Sequence, residues 1–134
     1  MTTRRVNKAM NKTEIEMFIV NKVRKIRESR NVGQKKLSLE LKLSVSFVGN
    51  VENIHSKAKY NFNHLNEIAR YFNVPFSYFF PETHLETDCV EEYLEIHPKL
   101  KVIHEKMMEN YDEKSRKKLE DRKKAKVEVK AKKK

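Results

Sequence analysis

Residues 34–53 read Q-K-K-L-S-L-E-L-K-L-S-V-S-F-V-G-N-V-E-N, and this stretch decides the fold. Leu37 and Leu41 lie four positions apart, one turn of a helix, and Val48 and Val51 lie three apart, one turn of another. The two pairs do not form one stripe, so two short helices with a tight corner fit better than one long helix. The pattern predicts a helix-turn-helix with helices over residues 34–41 and 45–53.

Two serines are predicted to shape this corner. Ser38 is small and follows Leu37, so it occupies the place where two crossing helix backbones approach closely. Ser44 precedes the second helix, and its hydroxyl can accept a hydrogen bond from an amide two or three residues further on. We therefore expect Ser44 to cap that helix.

Apolar spacing predicts further helices on both sides of the motif. Thr13 is placed to cap a first helix that ends near Asn31, a residue that tolerates a left-handed conformation. Asn61 is placed to cap a helix that stops at Asn73, and Pro75 suits the first turn of a short helix that ends at Pro81. The residues expected to face inward are Ile15, Ile19, Val23 and Ile26 in the first helix, and Phe62, Leu65, Ile68, Ala69 and Phe72 in the fourth.

Charge is distributed unevenly along a chain whose formal net charge is +11. Residues 1–83 carry 15 basic and 7 acidic side chains, residues 84–113 carry 3 and 9, and residues 114–134 carry 12 and 3. Such a balance favours a polyanionic partner. The single cysteine, Cys89, cannot form an intramolecular disulfide, which fits a reducing cytosol. No apolar run is long enough to cross a bilayer, and the first residues do not resemble a signal peptide.

These features divide the chain into four predicted segments. Residues 1–12 form a flexible basic arm, residues 13–81 the helix-turn-helix domain, residues 82–112 a helical appendage, and residues 113–134 a lysine-rich tail that is a frayed helix or disordered. The apolar residues of the appendage follow helical spacing that is broken at Pro98. We expect these apolar side chains to be buried. The appendage therefore either folds back on the helix-turn-helix domain or pairs with a second copy of the chain.

Residues 19–80 resemble the lambda-repressor-like helix-turn-helix domain of phage repressors and Cro proteins, the XRE family. The resemblance implies an all-α, five-helix DNA-binding domain, here followed by the helical appendage and basic tail. Two residues depart from the family pattern: Lys42 stands at the corner where glycine is usual, and Gly49 lies inside the recognition helix. Gly49 either permits a close approach to DNA or to another helix, or is a tolerated weak spot. The residues that carry the resemblance are Ile26-Arg27-Glu28, Gln34-Lys35-Lys36-Leu37-Ser38, Leu43-Ser44-Val45-Ser46, Val48 to Glu52, Leu65-Asn66-Glu67-Ile68-Ala69 and Phe72-Asn73-Val74-Pro75.

The resemblance also implies which side chains read bases. Because Val48 and Val51 must face the core, the outward positions of the recognition helix include Val45, Ser46 and Asn50, which match the base-reading positions of the family. Asparagine can pair with adenine, serine with several bases, and valine can touch a thymine methyl group. Phe47 lies at the flank, where it either contacts thymine methyl groups or packs against the second helix.

Phosphate contacts are expected from polar groups around the recognition helix. For any single lysine among them, a solvated surface charge is the alternative interpretation. The resemblance further implies an ion pair between Arg27 and Glu52, which would orient the recognition helix. The predicted DNA-backbone contacts are Gln34, Lys35, Ser44, Asn53, Ser56, Lys57, Lys59 and Asn61.

Catalysis is not expected from this sequence. The five histidines have no metal-ligand spacing, and one cysteine cannot supply a zinc finger. The acidic pairs Glu91-Glu92 and Asp112-Glu113 lack a companion motif and are interpreted as solvated charges. We find no nucleophile, phosphate loop or cofactor fingerprint. The expectation is a protein that is not an enzyme and takes neither cofactor nor metal.

The sequence therefore predicts a sequence-specific transcriptional regulator of bacterial or phage origin that binds double-stranded DNA as a homodimer, in the cytoplasm and at the nucleoid. One alternative is an antitoxin whose appendage holds a toxin, which makes the appendage a possible site for a partner protein. The other alternative is a protein-interaction adaptor that keeps the fold without reading DNA.

Overall fold

The computed structural model describes the backbone of residues 10–132 and the side chains of residues 10–129. The regular secondary structure of these residues is helical, with no strand, which confirms the all-α prediction. Most of the predicted arm, residues 1–9, and the tail end, residues 133–134, lie outside the described residues. The elements are α1 Glu14–Ser29, α2 Gln34–Glu40, α3 Phe47–Glu52, α4 Phe62–Phe72, a 3-10 helix Phe76–Phe79, α5 Cys89–Ile96 and α6 Pro98–Lys132.

The first and fourth helices begin with the capping residues expected from the sequence. Thr13 accepts a hydrogen bond from the Glu16 amide, and the Glu16 carboxylate accepts one from the Thr13 amide at 2.9 Å. Asn61 and His64 exchange the equivalent bonds at the start of α4. Each reciprocal pair satisfies amide groups that have no partner inside the helix, so both helix starts are fixed locally.

The core lies where α1, α2, α3 and α4 meet the 3-10 helix. Its fully buried members include Val23, Leu37, Val48, Ile68 and Phe79. Only Phe79 of the 3-10 aromatics is fully buried, which agrees with the sequence indication that this segment holds more aromatic side chains than one face can bury. Leu37 and Val48 thus anchor α2 and α3 to the same core, and Leu41 packs against it.

Helix α3 begins later than predicted, and Ser44 does not cap it. The Ser44 hydroxyl lies 3.3 Å from the Ser46 hydroxyl, while its carbonyl accepts a hydrogen bond from the Phe47 amide at 3.0 Å. Residues 45 and 46 therefore form a turn, and the helix starts at Phe47. The two serine side chains interact with each other, so neither hydroxyl bonds to an amide of the first helical turn.

A residue other than glycine with positive φ follows the last turn of each of the helices α1, α2 and α4. These residues are Asn31 (φ 56°), Lys42 (φ 59°) and Asn73 (φ 55°). In each case the next amide reaches back to a carbonyl five residues earlier, as the Leu43 amide does to Ser38 at 3.0 Å. The corner between α2 and α3 therefore keeps its left-handed conformation with lysine in the place of glycine, at a strain of about 1 kcal/mol.

Phe62 differs from the sequence prediction. It was expected to face inward with the rest of its helix face, yet it is 74% exposed. Phe62 is the first residue of α4, and its ring lines a surface cavity instead of packing in the core.

Helix α5 contacts the start of α1 through polar groups, whereas Val90 and Tyr93 of the expected apolar stripe are 72% and 37% exposed. The Glu14 amide donates a hydrogen bond to the Glu92 carboxylate at 3.1 Å, and the Thr87 hydroxyl donates one to the Glu14 carboxylate. Glu92 is only 8% exposed, so its interpretation as a solvated charge is wrong. Its negative charge at the N-terminus of α1 is favourable because that end of a helix carries partial positive charge.

Helix α6 belongs to a second unit that begins at His97. It comprises 35 residues, or about 52 Å at the usual rise per residue. The lysine-rich residues predicted to fray or to be disordered continue this helix as far as Lys132. Leu100, Ile103, Met107 and Tyr111 follow one another at helical spacing and are exposed.

Candidate nucleic-acid interface

The side chains expected to read bases lie at the start of α3 and are exposed. Val45 is 51% exposed, and Ser46 and Asn50 are exposed as well. Val48 and Val51, on the opposite side of the same segment, are fully buried. Val45 and Ser46 stand in the turn before the helix and Asn50 stands in its first turns. The arrangement presents one apolar and two hydrogen-bonding side chains on one short segment.

Phe47 differs from these three side chains because it is half-buried. Its ring packs edge-on against Tyr60 and His64, with centroids 6.0 and 5.1 Å away. These partners lie in the segment before α4 and in α4 itself, whereas the sequence offered α2 as the packing partner. Phe47 therefore connects the start of α3 to the start of α4. Burial lowers the pKa of the His64 imidazole.

The predicted phosphate-contacting residues fall into two groups. Six of them are exposed, whereas Ser56 and Lys59 are half-buried. Lys59 forms an ion pair with Glu16 at 2.5 Å and lies over the Tyr93 ring, 4.9 Å from its centroid. Its charge is thus already engaged by α1 and α5. The exposed members are Gln34, Lys35, Ser44, Asn53, Lys57 and Asn61.

Lys12 has a structural role that the sequence did not reveal. The sequence placed it in a flexible arm, but it is only 2% exposed. Its ammonium group donates hydrogen bonds to the carbonyls of Asn53 and Ser56 at 2.7 and 2.6 Å. Burial lowers the pKa of this ammonium group. Lys12 therefore holds the segment after α3 in place, and a lone lysine in a polar run gives no local signal of this role.

Arg27 and Glu52 form the ion pair that the resemblance implies. The Arg27 Nη2 lies 2.6 Å from Glu52 Oε1, and Nε donates to Oε2 at 3.1 Å. Their side chains are 9% and 3% exposed. The remaining Arg27 nitrogen donates to the Val32 carbonyl at 3.0 Å. This bidentate contact joins the last residue of α3 to the last turn of α1.

Gly49 lies against the side chain of Gln34, the first residue of α2. A Cβ atom added at Gly49 would stand 3.1 Å from Gln34 Oε1. This is closer than an ordinary contact, so the Gln34 amide group would have to move. Because Gln34 is exposed and its side chain is flexible, its amide group can move away from the added atom. Glycine at this position thus leaves Gln34 beside the exposed face of α3.

We expect Gly49→Ala to separate stability from DNA binding. Alanine should raise the free energy of unfolding by about 0.5 kcal/mol because it favours the helix. Displacement of the Gln34 side chain should weaken binding to every duplex by a similar factor, since a backbone contact carries no sequence information. Urea denaturation and fluorescence anisotropy check the two effects. Tighter DNA binding by the variant would contradict the role of Gln34.

No group of three or more histidine, cysteine, aspartate or glutamate side chains between residues 10 and 129 is arranged to hold a metal ion. Among the helices described, none combines the length and the apolar character needed to cross a membrane.

No protein-family model matches the sequence, and no curated protein matches it.

Proposed function

We propose that this protein is a sequence-specific transcriptional regulator of the lambda-repressor-like type, which inserts α3 into the major groove of double-stranded DNA. The observation that carries the proposal is the presentation of Val45, Ser46 and Asn50. These side chains are exposed on a segment whose other side is anchored by Val48 and Val51. A rigid, outward-facing helix start is what base reading requires.

The order of the helical elements supports the fold named in this proposal. Between residues 10 and 80, the part of this region that the structure describes, four α-helices and a 3-10 helix follow one another, with a left-handed corner of a few residues between α2 and α3. The Arg27–Glu52 ion pair holds α3 from the side of α1. A recognition helix of only six residues gains its fixed direction from such tertiary contacts, because a helix of this length is not stable alone.

Surface charge supports a nucleic acid as the partner. The exposed residues Gln34, Lys35 and Lys57 surround α3 in the sequence with donors for phosphate oxygens. The two lysines would provide the salt-dependent part of the DNA affinity. Lys59 is bound to Glu16 and contributes less in this arrangement.

The proposed assembly is a homodimer that reads two half-sites. Phe76 is exposed beside Phe80, with ring centroids 5.2 Å apart, and the α6 stripe from Leu100 to Tyr111 is exposed too. Burial of these apolar side chains between two copies would stabilise the pair. Sedimentation should give a mass of two chains at micromolar concentration. A mass of one chain would contradict the dimer.

The exposed stripe on α6 also favours a second candidate, an antitoxin that binds DNA with the first unit and a toxin with α6. A toxin gene next to the gene for this protein would favour that candidate. Replacement of Ile103 by lysine would then abolish toxin binding and leave the DNA affinity of a monomer unchanged. A loss of cooperative DNA binding in the same variant would instead favour the homodimer.

The decisive experiment for the proposed function is selection of bound duplexes from a random pool. Asn50→Ala should remove about 1–3 kcal/mol of discrimination at one base position. Lys57→Ala should weaken binding to all duplexes alike and reduce the salt dependence by about one phosphate contact. Fluorescence anisotropy on the selected and a random duplex checks both variants. Equal losses on the two duplexes for Asn50→Ala would contradict base reading by this residue.

A further inference from the structure

A surface cavity of about 270 Å³ lies between α1, the segment before α4 and the first turns of α4. Its apolar lining comes from Ile19, Val20 and Leu65, and the ring of Phe62. Because Phe62 is 74% exposed, the cavity reaches the surface at this ring. Small-molecule sites are typically clefts of about 300–1,000 Å³ that are lined mostly by apolar side chains with a few polar groups. A space of this size with apolar lining therefore suits a small ligand.

The polar side of the cavity carries an excess of positive charge. Its lining includes the ammonium groups of Lys12 and Lys59 and the carboxylate of Glu16. Glu16 is engaged by Lys59 at 2.5 Å. Lys12 is almost fully buried, and its two hydrogen bonds go to backbone carbonyls, which carry no full charge. The three groups together leave one positive charge without an opposite charge.

We propose that this cavity binds a small apolar monocarboxylate and that the bound acid weakens DNA binding. One negative charge would balance the excess charge of Lys12 and Lys59, and an apolar body would cover Val20 and Leu65. A cation would be repelled, and a neutral molecule would leave the buried charge unbalanced. A cavity of about 150 Å³ holds benzene, so this larger one has room for a ring and a short chain.

The position of the cavity connects it to the proposed DNA interface. Lys12 holds the carbonyls of Asn53 and Ser56, and Lys59 lies two residues after Lys57. A carboxylate beside the two lysines would neutralise positive charge next to residues expected to contact phosphates. This regulatory part of the proposal rests on the proposed function, whereas ligand binding itself does not.

The test uses the full chain and two matched probes, 3-phenylpropionate and its neutral analogue 3-phenylpropanol. Titration followed by amide NMR signals should show saturable shifts at Val20, Tyr60 and Leu65 with the acid, and about tenfold weaker binding of the alcohol because it lacks the charge-assisted contact. Equal binding of both probes, or no shifts at these residues at millimolar concentration, would overturn the proposal.

Two variants locate the binding site. Val20→Met gives a longer side chain with one additional sulfur atom. It should weaken binding of 3-phenylpropionate about tenfold, since the longer side chain occupies the ligand volume. Lys25→Met removes an exposed charge from the same helix outside the cavity and should leave binding unchanged. Unaltered binding by Val20→Met would overturn the assignment. If this variant does not fold, the comparison of acid and alcohol on the unmodified protein decides the proposal.

The regulatory part is measured separately, by fluorescence anisotropy on the selected duplex. Saturating 3-phenylpropionate should weaken DNA binding about fivefold or more, a typical coupling between two sites. Binding of the acid without any change in DNA affinity would overturn the regulation. Binding of the acid by a chain that selects no duplex would overturn the proposed function and the regulation, and would leave the ligand site intact.

Discussion

Replacing Arg27 by methionine should lower the free energy of unfolding by about 3 kcal/mol. The substitution leaves the Glu52 carboxylate, only 3% exposed, without its bidentate partner, and it removes the donor to the Val32 carbonyl. Arg24 Nε lies 3.7 Å from Glu52 and limits the loss, but it cannot replace the two short contacts. Urea denaturation followed by circular dichroism measures the change.

Two controls separate the ion pair from a general effect of lost charge. Arg24→Met removes a mostly exposed arginine from the same helix and should change stability by less than about 1 kcal/mol. The double variant Arg27→Met and Glu52→Leu should be more stable than Arg27→Met alone, because no buried carboxylate remains unpaired. If Arg27→Met is no more harmful than Arg24→Met, the pair does not hold α3 in place.

Ser38→Ala should lower the free energy of unfolding by about 2 kcal/mol. The Ser38 hydroxyl is fully buried, donates to the Gln34 carbonyl at 2.9 Å and accepts from the Val48 amide at 3.0 Å. Alanine would leave the Val48 amide, at the second residue of α3, without this acceptor. Ser38→Val should lower stability further, by about 1–3 kcal/mol, because two methyl groups do not fit in a fully buried position.

The matched control for Ser38 is Ser46, an exposed serine in the turn before α3. Ser46→Ala should change stability by no more than about 0.5 kcal/mol. The same denaturation measurement serves all three variants. A Ser38→Ala protein as stable as Ser46→Ala would show that the hydroxyl does not link α2 to α3, and that the corner is held by apolar packing alone.

Much of the fold could be predicted because its signals are local. Thr13 and Asn61 cap helices in their own first turns, and Asn31 and Asn73 terminate helices in their own last turns. The outward direction of Val45, Ser46 and Asn50 follows from the buried pair Val48 and Val51, which are three residues apart. The start of α3 could not be predicted, since the hydroxyl groups of Ser44 and Ser46 interact with each other and not with the amides of the helix.

The features that the sequence did not reveal depend on partners far along the chain. Lys12 bonds to carbonyls 41 and 44 residues away, and Glu92 accepts from an amide 78 residues away. Neither contact leaves a periodic pattern, because each involves one polar side chain and the backbone. Phe62 lies on the expected helix face, but only the three-dimensional structure places a cavity beside it.

The left-handed residues at the three helix ends also affect the unfolded chain. Neither glycine of this protein has a positive φ, so asparagine and lysine take the positions where glycine is usual. A glycine at each of these ends would relieve strain in the native state but would give the denatured ensemble more conformations to lose on folding, worth about 0.4–1 kcal/mol each. The two effects are similar in size and opposite in sign. A lysine at the α2–α3 corner therefore adds a positive charge there at almost no net thermodynamic penalty.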